Sequence, residues 1–350
     1  LEELAMNLQE IYAKVDSILD TLDFGALLEG FHRYRFAVYD SREICLDGEL
    51  IPYEDGFRGN TSKLYGGEYI AIWNIEFSPV EDMETLAYLL VHEMFHCHQF
   101  SNGEARFPSD FALLRYPDDQ DNFTEKYNEN RYLADACEGC DFTALQRFAA
   151  LRAQRLAAYP GMVAQELRAE TTEGMAEFIG LKALKAINRE KYISRVRDYL
   201  GELRAEGRLL FDVRKISYYT GAVFFLCLDA IGRKIENDFQ SELTAYEQNP
   251  VDTDGVEAQI RPYDFVGREY AALMEEKEAK VAEHMAHASY VPCDALIVGY
   301  DPMNMFQVRN MVYCSYFVCL NEGGQTKAIN SAVLLVLTGE SERGICGYYI

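Results

Sequence analysis

Positive charge is in short supply in this chain. Its 350 residues hold 33 lysines and arginines against 57 aspartates and glutamates, a formal net charge of −24. No basic stripe or basic-aromatic cluster offsets that balance, which excludes a phosphate-backbone partner and so a nucleic-acid function. No run reaches the roughly 18 apolar residues that a membrane span requires. The opening stretch "LEELAMNLQEIYAKVDSILD" lacks a basic segment followed by an apolar core. A cytoplasmic location is therefore expected, with secretion as the alternative where a signal peptide has been removed. Nine cysteines, an odd number, do not make a disulfide scaffold. Cys137 and Cys140 in "ACEGCD" have the spacing of half a zinc knuckle, but no second pair answers them. Internal repeats and low-complexity linkers are also missing. Histidine is scarce too, and three of the six fall within seven positions of one apolar run, "LLVHEMFHCHQF" at 89–100.

The pattern around that run predicts an α+β protein. Leu4, Leu8, Ile11, Val15, Ile18 and Leu19 repeat with a helical period near the start. Residues 34–53 mix short apolar groups with Asp, Gly and Pro, as strands or loops do. "GGEYIAIWNIEFSP" alternates bulky and β-branched residues and is expected to be a strand. A helix over 78–100 follows, with Ser78 as its cap and Pro79 as its first residue. "RYPDDQDNFTEKYNEN" is polar and irregular and reads as a surface loop. Helical text then resumes at about 129–158, 162–186, 190–205, through "YYTGAVFFLCLDAIGRKI", and at 264–289. The composition changes near 292: "NMVYCSYFVCLNEGG", "KAINSAVLLVLTGE" and "GICGYYI" are strand-like and split by glycine turns. The expected organisation is a mainly helical body over 1–291 and a small β-rich region over 292–350, either appended to the body or completing its sheet. The run from Val333 to Leu337 is so continuously apolar that it needs a cover, and the helical body is the nearest one.

In a helix, residues four apart stand one above the other, so His92 and His96 can offer two imidazoles to a single ion. Leaving both imidazoles without partners among Leu89, Leu90, Val91, Met94 and Phe95 would cost on the order of 2 kcal/mol or more each, and a metal removes that penalty. Glu93, one position round, suits a general base acting on a water beside the metal. Catalytic zinc takes three protein ligands. His98 points away from the His92/His96 stripe and reads as a surface or helix-terminal histidine whose charge suits the end of the helix dipole; Cys97 reads as packing or as a support behind the ligands. A third ligand is sought in "ELRAETTEGMAEFIGLKAL", where Glu166, Glu170, Glu173 and Glu177 recur near one helical face. Glu166 reads as a solubilising surface carboxylate. Glu173 and Glu177 suit a shared task, one holding the ion and the other fixing a histidine tautomer, with Glu170 in reserve as ligand or supporting group.

"HEMFH" followed by "TEGMAEF" resembles the gluzincin metallopeptidases, and a bacterial branch among them. The resemblance implies a zincin-like catalytic body holding one Zn2+ through His92, His96 and Glu173, with Glu93 as general base and Glu177 supporting the first histidine. "ISYYTGAVFFLCL" resembles the aminopeptidase branch's Ser-Tyr-x-x-Gly segment, carried here by Ser217, Tyr218 and Gly221. This implies Tyr218 as the oxyanion donor, with Tyr219 as alternate. It also implies that "GGEYIAIWN" is the edge strand that binds extended peptide. Residues 67–74 lack that branch's Gly-x-Met-Glu-Asn signature, so an endopeptidase on short or unfolded peptides is expected. The alternatives are an aminopeptidase-type exopeptidase, using Glu68 or Glu76 to hold the amine, and a catalytically silent binding protein. The 77-residue connection from His96 to Glu173 is expected to cover or narrow the cleft. Neutral or basic peptides are favoured by the negative charge.

Overall fold

The computed structural model describes residues 6–116, 119–339 and 341–350. Leu4 and the Pro-Asp pair at 117–118 of the expected loop lie outside them. The chain opens with α1 (Leu8–Leu19), whose Asn7 and Glu10 form a reciprocal capping box, and the short α2 (Phe24–Leu27). Five strands follow, β1 (Phe36–Tyr39), β2 (Glu43–Leu46), β3 (Glu49–Pro52), β4 (Thr61–Tyr65) and β5 (Glu68–Asn74), in the sheet order β3-β2-β1-β5-β4. β1 and β5 run parallel, while β5 and β4 form an antiparallel hairpin through the Gly66-Gly67 turn, where both glycines take positive φ. The expected edge strand "GGEYIAIWN" is therefore interior. Both faces of β5 are used: Ala71 and Trp73 join the main core, and Ile70 and Ile72 pack under Phe57. The free edge beside it is β4.

The motif helix α3 (Met83–Ser101) starts later than the sequence suggests. Asp82, not Ser78, caps it by accepting from the Thr85 N–H, and the Ser78 carbonyl instead accepts from the Trp73 indole. From Leu86 to Gln99 the helix is buried almost all round, as expected of an element enclosed by β5, α1 and later helices rather than laid on a surface.

The helical body continues as α4 (Asp110–Leu114), α5 (Gln120–Gly139), α6 (Phe142–Ala158), α7 (Pro160–Ala169), a π-helical turn (Glu170–Gly174), α8 (Met175–Ile187), α9 (Arg189–Arg204), α10 (Val213–Ala230), α11 (Ala245–Gln248) and α12 (Asp264–His287). Most of the expected surface loop is helix α5, with Asn122, Lys126, Asn128, Glu129 and Asn130 buried. Its polar side chains misled because they face a buried ion cluster. Lys126 and Arg155 donate to Glu166, Arg152 to Glu129 and Glu170, and Arg155 also to Glu129 at 2.7 Å. Glu166, expected on the surface, is fully buried there.

The C-terminal region is a separate seven-stranded antiparallel sheet. Its strands are β6 (Tyr290–Tyr300), β7 (Met305–Val308), β8 (Met311–Cys314), β9 (Val318–Glu322), β10 (Gln325–Ile329), β11 (Val333–Leu337) and β12 (Gly344–Tyr349), in the order β10-β9-β6-β12-β11-β8-β7. It does not extend the sheet beside α3. Its apolar centre is covered on both faces: Val333 and Leu335 meet Phe111 and Leu114 of α4, and Leu334 meets Val281 of α12.

Candidate active site

The centre is built where α3, the π turn and α10 meet. Glycine makes the approach possible. A Cβ on Gly174 would lie 2.6 Å from the Gly221 Cα, and one on Gly221 would lie 2.7 Å from the Gly174 Cα, so the two backbones touch and neither position admits a side chain. On the other side Gly180 lets α8 settle on α3, where a Cβ would meet Tyr88 at 3.1 Å and the His92 Cβ at 3.5 Å.

The π turn sorts the row of glutamates. On a regular helix Glu170, Glu173 and Glu177 would share one face. The wider turn over Glu170–Gly174 swings Glu170 off that face, a use of π geometry common at functional sites. Glu170 accepts from Arg152 and from the Thr220 hydroxyl at 2.5 Å, in the ion cluster. It is neither a ligand nor a support for one. Glu173 and Glu177 turn to the histidines instead.

Three ligand atoms converge. The His96 Nε2 lies 3.1 Å from the His92 Nε2 and 3.1 Å from the Glu173 Oε2, and the His92 Nε2 is 3.7 Å from that same oxygen. His92, His96 and Glu173 offer ligand atoms all within 4.8 Å of one another, the one such group among the described residues. A tetrahedral zinc with bonds near 2 Å places its ligand atoms about 3.3 Å apart, so the donor set fits in spacing and in chemical type. The other ring nitrogens face outward and are held. The His92 Nδ1 donates to the Glu177 Oε2 at 2.8 Å, and Tyr88 and Tyr199 donate their hydroxyls to the other oxygen of Glu177. The His96 Nδ1 donates to the Gln99 Oε1 at 2.7 Å, while the Gln99 amide donates to the carbonyls of Thr171 and Thr172 in the π turn. Both Nε2 lone pairs therefore point at one place.

The electrostatics suit a cation. Glu93 and Glu177 are buried, and Glu173 partly buried, around two imidazoles. Burial pulls His92 and His96 toward the neutral form, yet the facing carboxylates outweigh it and raise both above the ordinary histidine value. Burial raises Glu93, which suits a carboxylate that must take and return a proton. Tyr218 lies with its ring 6.0 Å from that of His92, its hydroxyl meeting Glu173; burial first, then the Glu173 charge, keep it protonated and able to donate. Tyr219 turns away and packs edge-on to Tyr199 at 4.5 Å. Ser217 only closes a bond to the Val213 carbonyl. His98 is not a surface histidine: it is buried among Phe31, Phe95 and Phe239, and burial with His32 nearby lowers it to about 4. Cys97 is core, and Cys137 and Cys140 belong to no metal group among the described residues.

Sequence reasoning missed Tyr88, Gln99, Tyr199 and Arg214. Three of these had a signal: Tyr88 stands four residues before His92, Gln99 three after His96, and Arg214 four before Tyr218, each on the neighbour's helical face. Arg214 donates to Asp110 of α4 and brings its Nη2 to 3.6 Å from the Glu173 Oε1. Tyr199 comes from α9, and nothing in its local text pointed there.

An α+β body with a His-Glu-x-x-His helix, a glutamate from the later π turn and a supporting carboxylate gives a His/His/Glu group of zincin type, suited to a metal-activated water and consistent with the gluzincin metallopeptidases. No family model, curated protein or solved structure matches the chain, so this assignment stands on the residues and their geometry.

Proposed function

We propose that the protein hydrolyses peptide bonds as an endopeptidase acting on short or unfolded peptides. The observation that carries the reading is the convergence of the two Nε2 atoms and the Glu173 carboxylate beside Glu93, with both Nδ1 positions held from behind. When bound there, zinc supplies a Lewis acid that polarises a water and the substrate carbonyl. Glu93 accepts the proton of the attacking water and returns it to the leaving amine. The Tyr218 hydroxyl donates to the carbonyl oxygen as negative charge gathers on it. Glu177 and Gln99 keep the two imidazoles in the tautomer that leaves Nε2 unprotonated.

An extended substrate has β4 to pair with, since its outer edge is open and it lies against α3. The endopeptidase reading draws support from the two carboxylates considered for holding a free amine: Glu68 lies beside Arg35, and Glu76 accepts from the Ser41 N–H. Helices α5 and α6 pack behind the π turn through Arg152, while α4 borders the site through Asp110. A cytoplasmic location belongs to the same proposal. The test is a mixed peptide library incubated with wild type and Glu93→Gln, with matched members carrying free and acetylated amino termini. Cleavage by wild type alone, indifferent to acetylation, is expected. Equal cleavage by the variant contradicts the mechanism, and a strong preference for the free amine contradicts endopeptidase action.

A further inference from the structure

A chain of polar side chains runs from the C-terminal sheet to the metal site. Glu173 divides its carboxylate: Oε2 faces the imidazoles, 3.1 Å from the His96 Nε2, while Oε1 lies 3.6 Å from the Arg214 Nη2. The second distance makes an ion pair and not a hydrogen bond. The other arm of the guanidinium, Nη1, donates to the Oδ1 of Asp110, the first residue of α4. The Asp110 Oδ2 accepts from the Tyr300 hydroxyl of β6 at 3.1 Å. Tyr300 is itself held, since Arg343 donates to its hydroxyl at 3.2 Å and its ring stands edge-on to that of Phe111 at 5.1 Å. Glu173, Arg214, Asp110 and Tyr300 are all partly buried, so their charges are screened less than at an open surface.

Fastening the sheet to α4 does not require this chain. Glu342, just ahead of β12, already accepts from Arg115 and from the Ser109 hydroxyl at 2.9 Å at the same interface. What Arg214 adds is a planar fork between two carboxylates, one of them a candidate metal ligand. We propose that Tyr300 and Asp110 position Arg214, and that Arg214 in turn holds the Glu173 Oε1 so that Oε2 alone is presented to the metal. A ligand carboxylate whose outer oxygen is free can rotate; a guanidinium beside that oxygen limits the rotation, as the partners behind ligand side chains do generally. Asp110 also offsets the positive charge that Arg214 would otherwise set against the ion. The inference rests on the zinc-hydrolase reading and goes beyond it: the C-terminal sheet is a support of the metal site rather than an appendage.

The test is zinc affinity of the full, metal-free chain, measured by competition with a chelator, with denaturant unfolding as the check on folding. Arg214→Gln is expected to weaken zinc about 10- to 100-fold. Tyr300→Phe should weaken it about threefold, the size of one lost hydrogen bond, and should add nothing in the Arg214→Gln background because it acts through Arg214. Glu342→Gln, which breaks the neighbouring anchor, should leave zinc affinity unchanged. Affinity unchanged or raised in Arg214→Gln overturns the proposal, as does equal weakening by Tyr300→Phe and Glu342→Gln, which would assign the effect to the interface alone. If Arg214→Gln fails to fold, the comparison of Tyr300→Phe with Glu342→Gln still decides. Wild type that takes up no zinc overturns the metal assignment and this proposal with it, whereas zinc bound alike by wild type and every variant overturns the positioning alone. The expected pattern of affinities in protein that cleaves no peptide supports the positioning and contradicts the peptidase reading.

Discussion

Two buried carboxylate clusters sit back to back across one π turn, and they are built in opposite ways. Behind the turn, Glu129, Glu166 and Glu170 face Lys126, Arg152 and Arg155, three anions against three cations, with Tyr116 and Thr220 completing the bonds. In front of it, Glu93, Glu173 and Glu177 face two imidazoles, and the nearest guanidinium to a ligand oxygen, that of Arg214, stays 3.6 Å off. The rear cluster is electrically closed and needs nothing from outside. The front cluster meets its carboxylates with imidazoles instead of guanidinium groups in direct contact, and its ligand atoms are aimed at a common point. Two Nε2 atoms and a carboxylate oxygen facing one point are the donor set a divalent metal takes, and a cation there would offset the charge of the carboxylates around it.

The largest expected effect separates the clusters by activity. Glu93→Gln should lower kcat about 10²- to 10⁴-fold, the range for losing a general acid-base, while zinc content stays at the wild-type level. Glu166→Gln should do the reverse. It leaves Lys126 and Arg155 short of their partner and should cost about 3–5 kcal/mol in denaturant unfolding, the usual result of breaking a buried pair, with zinc retained by the molecules that stay folded. Glu166 also sets an acid limit. Although burial alone would raise it, Arg155, Lys126 and Arg152 hold it well below the ordinary carboxylate value. Its folded form therefore binds a proton less readily than its unfolded form. The stability it contributes is present above about pH 4.5 and is lost as pH falls further, and wild type should show that loss more steeply than the glutamine variant in unfolding titrations.

Between the clusters, Gly221→Ala should destabilise by about 1–3 kcal/mol, because the new methyl meets the Gly174 backbone, which has no room to give. It should weaken zinc as well, by displacing the turn that holds Glu173. Gln99→Leu is the finer probe. It removes the acceptor for the His96 Nδ1 and should weaken zinc about 10- to 100-fold in a competition assay with a chelator while leaving the fold in place.

The front cluster was far more legible in the sequence than the rear one. His92, Glu93 and His96 sit within five residues, and helical geometry alone brings the imidazoles together. Glu173 and Glu177 were legible through their spacing and their glycine, but the π turn that separates them from Glu170 leaves no mark in composition. Glu166 and the polar start of α5 were misread because charged residues in an irregular stretch ordinarily face water; Lys126 of α5 meets Glu166 of α7, Glu129 of α5 meets Arg152 and Arg155 of α6, and only tertiary structure brings them together. The strands after residue 290 were largely visible from β-branched runs and glycine turns, whereas β7, four residues long, was too short to show. What covers Val333 to Leu337 depends on α4 and α12, elements far away in sequence.

His92, His96 and Glu173 form the candidate metal site, and the proposed function requires that they hold one zinc ion. Elemental analysis of protein purified without added metal, run in parallel on wild type and on His96→Ala, tests it most directly. One zinc per wild-type chain and near-complete loss in the folded variant is the expected result. Metal-free wild type that does not take up zinc on addition, or zinc retained in full by His96→Ala, would contradict it.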